Sequence, residues 1–322
     1  MHASQTTQEQ SIEAGPTVSV IMPCYNSGAT IRESIASVQS QTLEDWELIV
    51  VDDGSDDATP DIVSAIADPR ITLLRKENGG AASARNQGLV VSRGQFIAFL
   101  DSDDLWEPEF LKRMLEALSV EEDAVLAYCG WQNLSRDGEN GRPFIPPDYE
   151  SLSRAETFLG GCRWPIHGVL VRRSAIDKTG GFDETLYTSE DYELWLRIVH
   201  QGKLIRVPEV LAYYLHHEGT QITDNPTRVA LNHLRAQENF LVSNPDAAHK
   251  LGEKRIRELL DGELLRRAYI CYWNRDLQSA RTLFRHVMRR GYGRPKDWLY
   301  MLPSLLPLNV HAWLLNKRDG QN

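Results

Sequence analysis

Apolar runs alternate with polar, turn-forming stretches through the first two-thirds of the chain and predict strands alternating with helices. Val18–Met22 reads as a first strand, ended by Pro23-Cys24-Tyr25-Asn26-Ser27-Gly28, a loop by composition. Thr30 and Glu33 have capping-box spacing, and Ile31, Ile35 and Val38 make a helical stripe. Trp46–Val51 is a second strand running into Asp52-Asp53-Gly54-Ser55, and Thr59-Pro60 starts a helix with proline at its first position. Ile71–Leu74 is a third strand, broken by Glu77-Asn78-Gly79-Gly80 before an alanine-rich helix to about Val91. Phe96–Leu100, five apolar residues in a row, predicts a fourth strand buried on both faces. Pro108 opens a helix with Phe110, Leu111, Met114, Leu115 and Leu118 inward, and Ala124–Cys129 is a fifth strand.

This order implies an α/β fold with a mainly parallel sheet flanked by helices. Three of the strands end in Asp- or Gly-rich turns, as expected if those turns line one ligand crevice. Residues 131–163 are less regular, with a loop expected over Gly138–Pro147. Gly168–Val171 reads as a strand, followed by Arg172-Arg173-Ser174 and the turn Gly180-Gly181-Phe182-Asp183. Ser189-Glu190-Asp191 starts a helix with Leu194, Trp195, Ile198 and Val199 on one face. Val210–Leu215 is strand-like and ends in His216-His217-Glu218-Gly219. From Thr227 the pattern is helical almost to the end, with Arg266–Arg289 as a helical hairpin. These shifts divide the chain into a disordered tail over 1–16, an α/β domain over 17–225 and a helical extension over 226–322.

Composition adds an asymmetry. The 322 residues are 42% hydrophobic and 25% charged, ordinary for a globular protein, with a net charge of −10. Residues 226–322 hold 17 Lys+Arg against 9 Asp+Glu, a net of +8, which leaves −18 on residues 1–225. The polar first residues lack the apolar core of a signal peptide, and no run is long and apolar enough to span a bilayer. The four cysteines are scattered, which argues against a zinc site or disulfide framework and fits a reducing cytoplasm.

The candidate chemistry lies at the strand ends. Asp101, Asp103 and Asp104 follow the fourth strand; two aspartates at i, i+2 can share one hard cation, Mg²⁺ or Mn²⁺, with substrate phosphates, or simply form a solvated acidic turn. Asp53 fits a turn, and its carboxylate could equally accept hydrogen bonds from a nucleobase or ribose. Tyr25 reads either as core filler or as a ring stacked on a base. The Asn78-Gly79-Gly80 loop permits close backbone approach to a ligand. Arg85 could pair with phosphate or with a local acid. Glu190 and Asp191 could be the acidic first turn of a helix or present a general base. Trp164 and His167 could floor an acceptor site or pack in the core.

Taken in order, Val18–Asn26, Val50–Ser55, Asn78–Asn86, Asp101–Asp104, Gly180–Glu184, Glu190-Asp191 and His217 resemble the family 2 glycosyltransferases, with the fold called GT-A, over roughly residues 16–223. The resemblance implies inverting transfer of a sugar from a nucleotide-sugar, usually a UDP-sugar, with a divalent metal, Mn²⁺ or Mg²⁺. It implies that Pro23 and Tyr25 lie against the nucleobase, that Asp53 binds base or ribose and that Asp101 holds the ribose. Asn26, Asn78, Gly79 and Ser102 join them as donor contacts. It further implies Asp103 as metal ligand, Asp191 as catalytic base and His217 near the metal or diphosphate; Glu190, next to that base, would support or contact the acceptor. Leu215 departs from the pattern, since relatives often carry Arg there.

The expected partners are a nucleotide-sugar and a glycan or lipid-linked acceptor in cell-surface polysaccharide synthesis, with no nucleic acid. A silent nucleotide-sugar-binding scaffold would lose the Asp-x-Asp or Asp191, and this chain keeps both. A sugar nucleotidyltransferase would need a basic loop after the first strand, and Pro23–Gly28 holds no Lys or Arg. In the C-terminal extension, Trp298–Leu308 and Trp313-Leu314-Leu315 combine apolar residues, interfacial aromatics and flanking cations. That pattern fits either peripheral contact with an anionic membrane at its inner face or cover for the domain or a homodimer face.

Overall fold

The computed structural model describes residues 15–135, 140–151, 153–216 and 225–318. The expected N-terminal tail therefore lies, but for its last two residues, outside the described residues, and so does His217. The elements run β1 (Val18–Cys24), α1 (Ile31–Gln39), β2 (Trp46–Asp52), α2 (Thr59–Ser64), β3 (Ile71–Arg75), α3 (Ala81–Val91) and β4 (Phe96–Phe99). They continue with β5 (Leu105–Trp106), α4 (Phe110–Val120), β6 (Ala124–Ser135), α5 (Arg154–Leu159), β7 (Val169–Arg172), α6 (Arg173–Thr179), α7 (Glu190–Ile198) and β8 (Lys203–His216). The C-terminal region is α8 (Pro226–Ser243), α9 (Pro245–Trp273), α10 (Leu277–Arg289), α11 (Pro295–Met301) and α12 (Leu308–Arg318).

The strands form one sheet in the order β3-β2-β1-β4-β7-β6-β8-β5. The first four are parallel neighbours. β7 pairs antiparallel with both β4 and β6, β6 runs parallel to β8, and β5 pairs antiparallel with β8. The sheet is thus parallel in its first half and mixed in its second. Alternation along the strands explains the continuous apolar runs. Val18, Val20, Met22, Ala98 and Leu170 pack on the face covered by α1 and α4. Ile21, Ile97, Phe99, Val169 and Val171 pack on the other, with Trp195 of α7. Both sets are buried, as a sheet covered on both sides requires. The second core continues without a break into Leu260, Phe284 and Met301 of the C-terminal helices.

Several local expectations are corrected. β1 continues through Pro23 and Cys24, beyond the ladder with β4, which ends at the Ile21–Phe99 pair; a proline is tolerated where one neighbour is missing. The Thr30–Glu33 capping box does not form, because the Thr30 hydroxyl donates to the Ser27 carbonyl instead. Pro108 precedes α4 rather than opening it. β6 and β8 are much longer than their apolar cores, since they pair with each other from Ala124–Lys203 to Ser135–His216. The Arg172-Arg173-Ser174 break is the start of α6. Arg172 donates to the Ala124 and Leu118 carbonyls and Arg173 to that of Gly94, so both charges cap neighbouring backbone. Gly180, at φ 79°, closes that helix in the left-handed region.

Candidate active site

The carboxyl ends of β1, β2 and β4 meet the N-termini of α3 and α7, and the charged groups concentrate there. Arg85, in the second turn of α3, is only 4% exposed. One terminal nitrogen of its guanidinium donates to Asp101 Oδ1 at 2.7 Å and the other to Glu190 Oε1 at 2.7 Å. A planar fork with several donors can hold two carboxylates in this way, whereas an ammonium could not keep both in fixed geometry. Arg85 therefore ties the end of β4 to the start of α7. Of its two sequence readings, pairing with local acid is the one the structure displays.

Ser189, at φ 62°, turns the chain so that Glu190 and Asp191 form the first turn of α7. A non-glycine residue in that region is strained and is held there by its surroundings. Asp191 is partly buried, and its Oδ1 accepts from the Tyr192 amide at 2.7 Å. Burial, and then the negative charge of Glu190, push its carboxyl up to about 7, against the pull of Arg85. A carboxyl near neutrality suits a general base.

The three acid-loop carboxylates divide their work. Asp101 meets Arg85. Asp104 is buried; its Oδ1 accepts from the Leu215 amide at 3.1 Å, and Oδ2 lies 2.6 Å from His167 Nδ1. Burial works against charge on His167, but Asp104, with Asp101 and Asp103, raises its pKa. Burial raises that of Asp104 against the pull of His167. The His167 carbonyl accepts from Trp106 Nε1 at 2.7 Å. Asp103 stays partly exposed between them. Ser102 Oγ lies 2.7 Å from Ser27 Oγ, joining this loop to the one after β1. Among the described residues no three His, Cys, Asp or Glu side chains form a metal cage.

On the β2 side, Asp53 is buried and uses both oxygens on the next loop. It accepts from Lys76 Nζ at 2.8 Å, Gly79 N at 3.0 Å and Gly80 N at 2.7 Å. Gly80 sits at φ 88°, a conformation open to glycine, and starts α3. Asn78 and Gly79 are exposed, and Tyr25, in the loop after β1, is 53% exposed. Asn26 is in the left-handed region and bonds the Ser55–Asp56 turn through its amide and side chain.

Three of the candidate residues are buried. Pro23 lies inside β1 and is buried, one residue before its end. Trp164 is stacked on Tyr128 with ring centroids 4.7 Å apart, within an aromatic core that includes Phe158. His167 is 1% exposed and belongs to the Asp104 pair. Neither Trp164 nor His167 floors an open site; both follow an irregular segment that packs inward against β6.

Other supports were not legible in the sequence. Asn86 donates to the Phe182 carbonyl at 3.0 Å and accepts from the Phe182 amide at 2.8 Å, locking the turn before α7. A Cβ at Gly181 would lie 2.6 Å from Asn86 Oδ1, which explains the glycine. α8 braces the same region: Asn232 donates to Thr188 at 3.1 Å, and His233 stacks on Tyr192 at 4.0 Å.

Comparison with known proteins bears on the family and the fold. The family model described as glycosyl transferase family 2 matches residues 19–180. An uncharacterized glycosyltransferase of Rickettsia typhi is 32% identical over 233 residues, 69% of this chain and 70% of the relative. The Escherichia coli UDP-Glc:alpha-D-GlcNAc-diphosphoundecaprenol beta-1,3-glucosyltransferase WfgD is 35% identical over 188 residues, 58% of this chain and 71% of its own. The fold resembles that of Staphylococcus aureus TarS 1-349 in complex with UDP, with a TM-score of 0.59 at 19% identity, covering 95% of this chain and 88% of that one. The chain belongs to glycosyl transferase family 2 and has its GT-A fold.

Proposed function

We propose that this glycosyltransferase moves a sugar from a UDP-sugar, with inversion, to a hydroxyl of a glycan or lipid-linked acceptor in cell-surface polysaccharide synthesis. The observation that carries the reading is Asp191, with its carboxyl near 7, fixed beside the Asp101–Arg85–Glu190 bridge. Relatives support the setting: WfgD is named for a diphosphoundecaprenol-linked acceptor, and a 35% identical Bacillus subtilis relative for teichuronic acid biosynthesis. The UDP complex of TarS and the GDP-Man and Mn²⁺ complex of a Pyrobaculum mannosyltransferase support a nucleotide-sugar and a divalent ion.

In this reading Asp191 accepts the proton of the acceptor hydroxyl. That oxygen bonds to the anomeric carbon on the face opposite the diphosphate. The bond to the diphosphate oxygen breaks, its electron pair leaves with the nucleoside diphosphate, and the configuration inverts. Arg85 keeps the α7 start and the β4 end in register, and Glu190 keeps the Asp191 pKa up. Tyr25, Asn26, Asn78, Gly79 and Ser102 border the donor side, and Asp53 holds the 78–80 loop against it. The donor set fits a hard ion: carboxylate oxygens, with Asp103 partly exposed beside Asp101, suit Mn²⁺ or Mg²⁺ completed by phosphate oxygens. His217 is a proposed further ligand. Such an ion, when bound, would set positive charge against the leaving diphosphate.

Incubation with UDP-, GDP- and dTDP-sugars, with nucleoside diphosphate release followed chromatographically with and without Mn²⁺, tests the reading. No metal-dependent release from any UDP-sugar would overturn it. Asp103→Asn should keep the fold and lose most metal-dependent turnover, because an amide is an uncharged ligand. Full turnover in that variant, still abolished by EDTA, would remove Asp103 from the ligand set. Asp53→Ala should weaken UDP itself as well as UDP-sugar by releasing the loop; unchanged calorimetric UDP affinity would take Asp53 out of the site.

A further inference from the structure

We propose that the outer face of α11, α12 and the turn between them, with an arginine row on α10, is a docking surface for an anionic lipid bilayer. The inner side of this segment is accounted for: Met301, Ser304, His311 and Leu315 are buried against the core. The outer side is apolar too. Leu299 is 72% exposed, Leu305 59% and Trp313 58%, with Leu302, Leu306 and Leu308 exposed among them. A helical segment apolar on both sides lacks the polar face that solvent requires, and a contiguous exposed apolar patch marks an interaction surface.

The charges beside it indicate what covers it. Several other arginines of the C-terminal region meet acids: Arg255 with Glu156 and Glu258, Arg257 with Asp261, Arg266 and Arg267 with Glu263, Arg290 with Glu238 and Asp261. Arg281, Arg285 and Arg289 differ. They stand at i, i+4 and i+8 on α10, and among the described residues no ion pair joins them to an acid. Arg285 donates to the Ser304 carbonyl at 2.9 and 2.6 Å, and Arg281 lies 3.5 Å from His311 Nδ1. Like charges at this spacing destabilise a helix, so an anionic partner would relieve a cost that the fold alone carries.

Between row and patch lies an open cavity of about 460 Å³, lined by Arg285, Met288, Arg289, Trp298, Leu302 and Leu305. Guanidinium groups beside apolar and indole walls match a lipid phosphate above the start of its acyl chains. A second copy of the chain would bring the same arginine row to the face, like charge against like. A bilayer supplies both complementary parts, and α11 and α12, of 7 and 11 residues, have the length to lie on it. Among the described residues no helix is long and apolar enough to cross it.

The proposal is independent of the donor and acceptor assigned above, and its test reads binding rather than turnover. The full chain is floated with vesicles of phosphatidylglycerol and phosphatidylcholine in equal parts, and with phosphatidylcholine alone. It should float with the first, release as salt rises, and ignore the second. Arg285→Gln with Arg289→Gln should weaken partitioning about thirtyfold, the effect of two surface cations. Leu302→Ser with Leu305→Ser, both exposed side chains, should also abolish flotation. Arg266→Gln, which leaves the row intact, should change nothing. Equal flotation with both vesicles, no flotation with either, or flotation insensitive to both double variants would each overturn the proposal. So would concentration-dependent dimers dispersed by the leucine variant, or flotation that inorganic phosphate abolishes at constant ionic strength.

Discussion

Asp191→Asn is expected to lower kcat by about 10²–10⁴-fold, the usual contribution of a general base, with donor affinity nearly unchanged. The amide cannot take the acceptor proton, yet it fills the same space at the start of α7. Calorimetry showing affinity lost in step with turnover would assign Asp191 to binding instead. The pH profile gives a second reading. A carboxyl pushed up to about 7 by burial and Glu190 is protonated below that value, so kcat/KM should fall as pH drops through 7. Glu190→Gln removes one of the raising charges while Arg85, which opposes it, remains, so the acid limb should move to lower pH. Linkage fixes the sign of a stability effect as well. Between the ordinary value of 3.8 and about 7 the folded chain holds a proton that the unfolded chain has released. Stability is therefore lost as pH rises through that window. Asp191→Asn has no such ionisation and should melt higher than the native protein at alkaline pH.

Arg85→Met should be the most damaging change to the scaffold of the site. It leaves the Asp101 and Glu190 carboxylates facing each other without their cation. Removing one member of a buried ion pair costs about 3–5 kcal/mol. Asp101 is 31% exposed and recovers water, whereas Glu190 at 12% recovers little, so the lower part of that range applies. Thermal unfolding should fall by roughly 5 °C or more, and turnover should collapse because α7 loses its tether to β4. The loss of a cation that lowers the Asp191 pKa should also move the acid limb upward. Adding Asp101→Asn and Glu190→Gln to Arg85→Met removes the stranded charges and should restore melting but not turnover. Full activity in Arg85→Lys would show that the two-armed bridge is not the tether.

The parallel half of the sheet was legible because each strand is buried on both faces and reads as an unbroken apolar run with a polar end. The other half was not. β7 sits between β4 and β6, and β8 extends along β6, pairings between segments far apart in the chain that local periodicity does not encode. α5 and α6 were missed because each is about two turns long and each begins with an arginine. The acid loop and the α7 start were visible as residues, but not which carboxylate does what. Asp104 read as one of three carboxylates in one loop and His167 as acceptor floor or core, and nothing local joined the two that the fold buries together. Arg85 is 105 positions from Glu190, so its choice of partner was open. Asp53 read as a ligand or a turn residue, and its hydrogen bonds support the neighbouring loop.

The pinning of the acid loop has a consequence for the newborn chain. Asp101–Asp104 lies between β4, which can join β1 early, and β5, which pairs with β8. Asp104 is held by an amide 111 residues downstream, and Trp106 by a carbonyl 61 residues downstream. Contacts of such sequence separation form late. During synthesis the first four strands can assemble and Asp101 can meet Arg85 while Asp104 remains unset, until β8 has left the ribosome. A chain truncated before β8 would then keep its parallel strands but lack the set carboxylates, and competence would arrive in one step once β8, at 203–216, can pair.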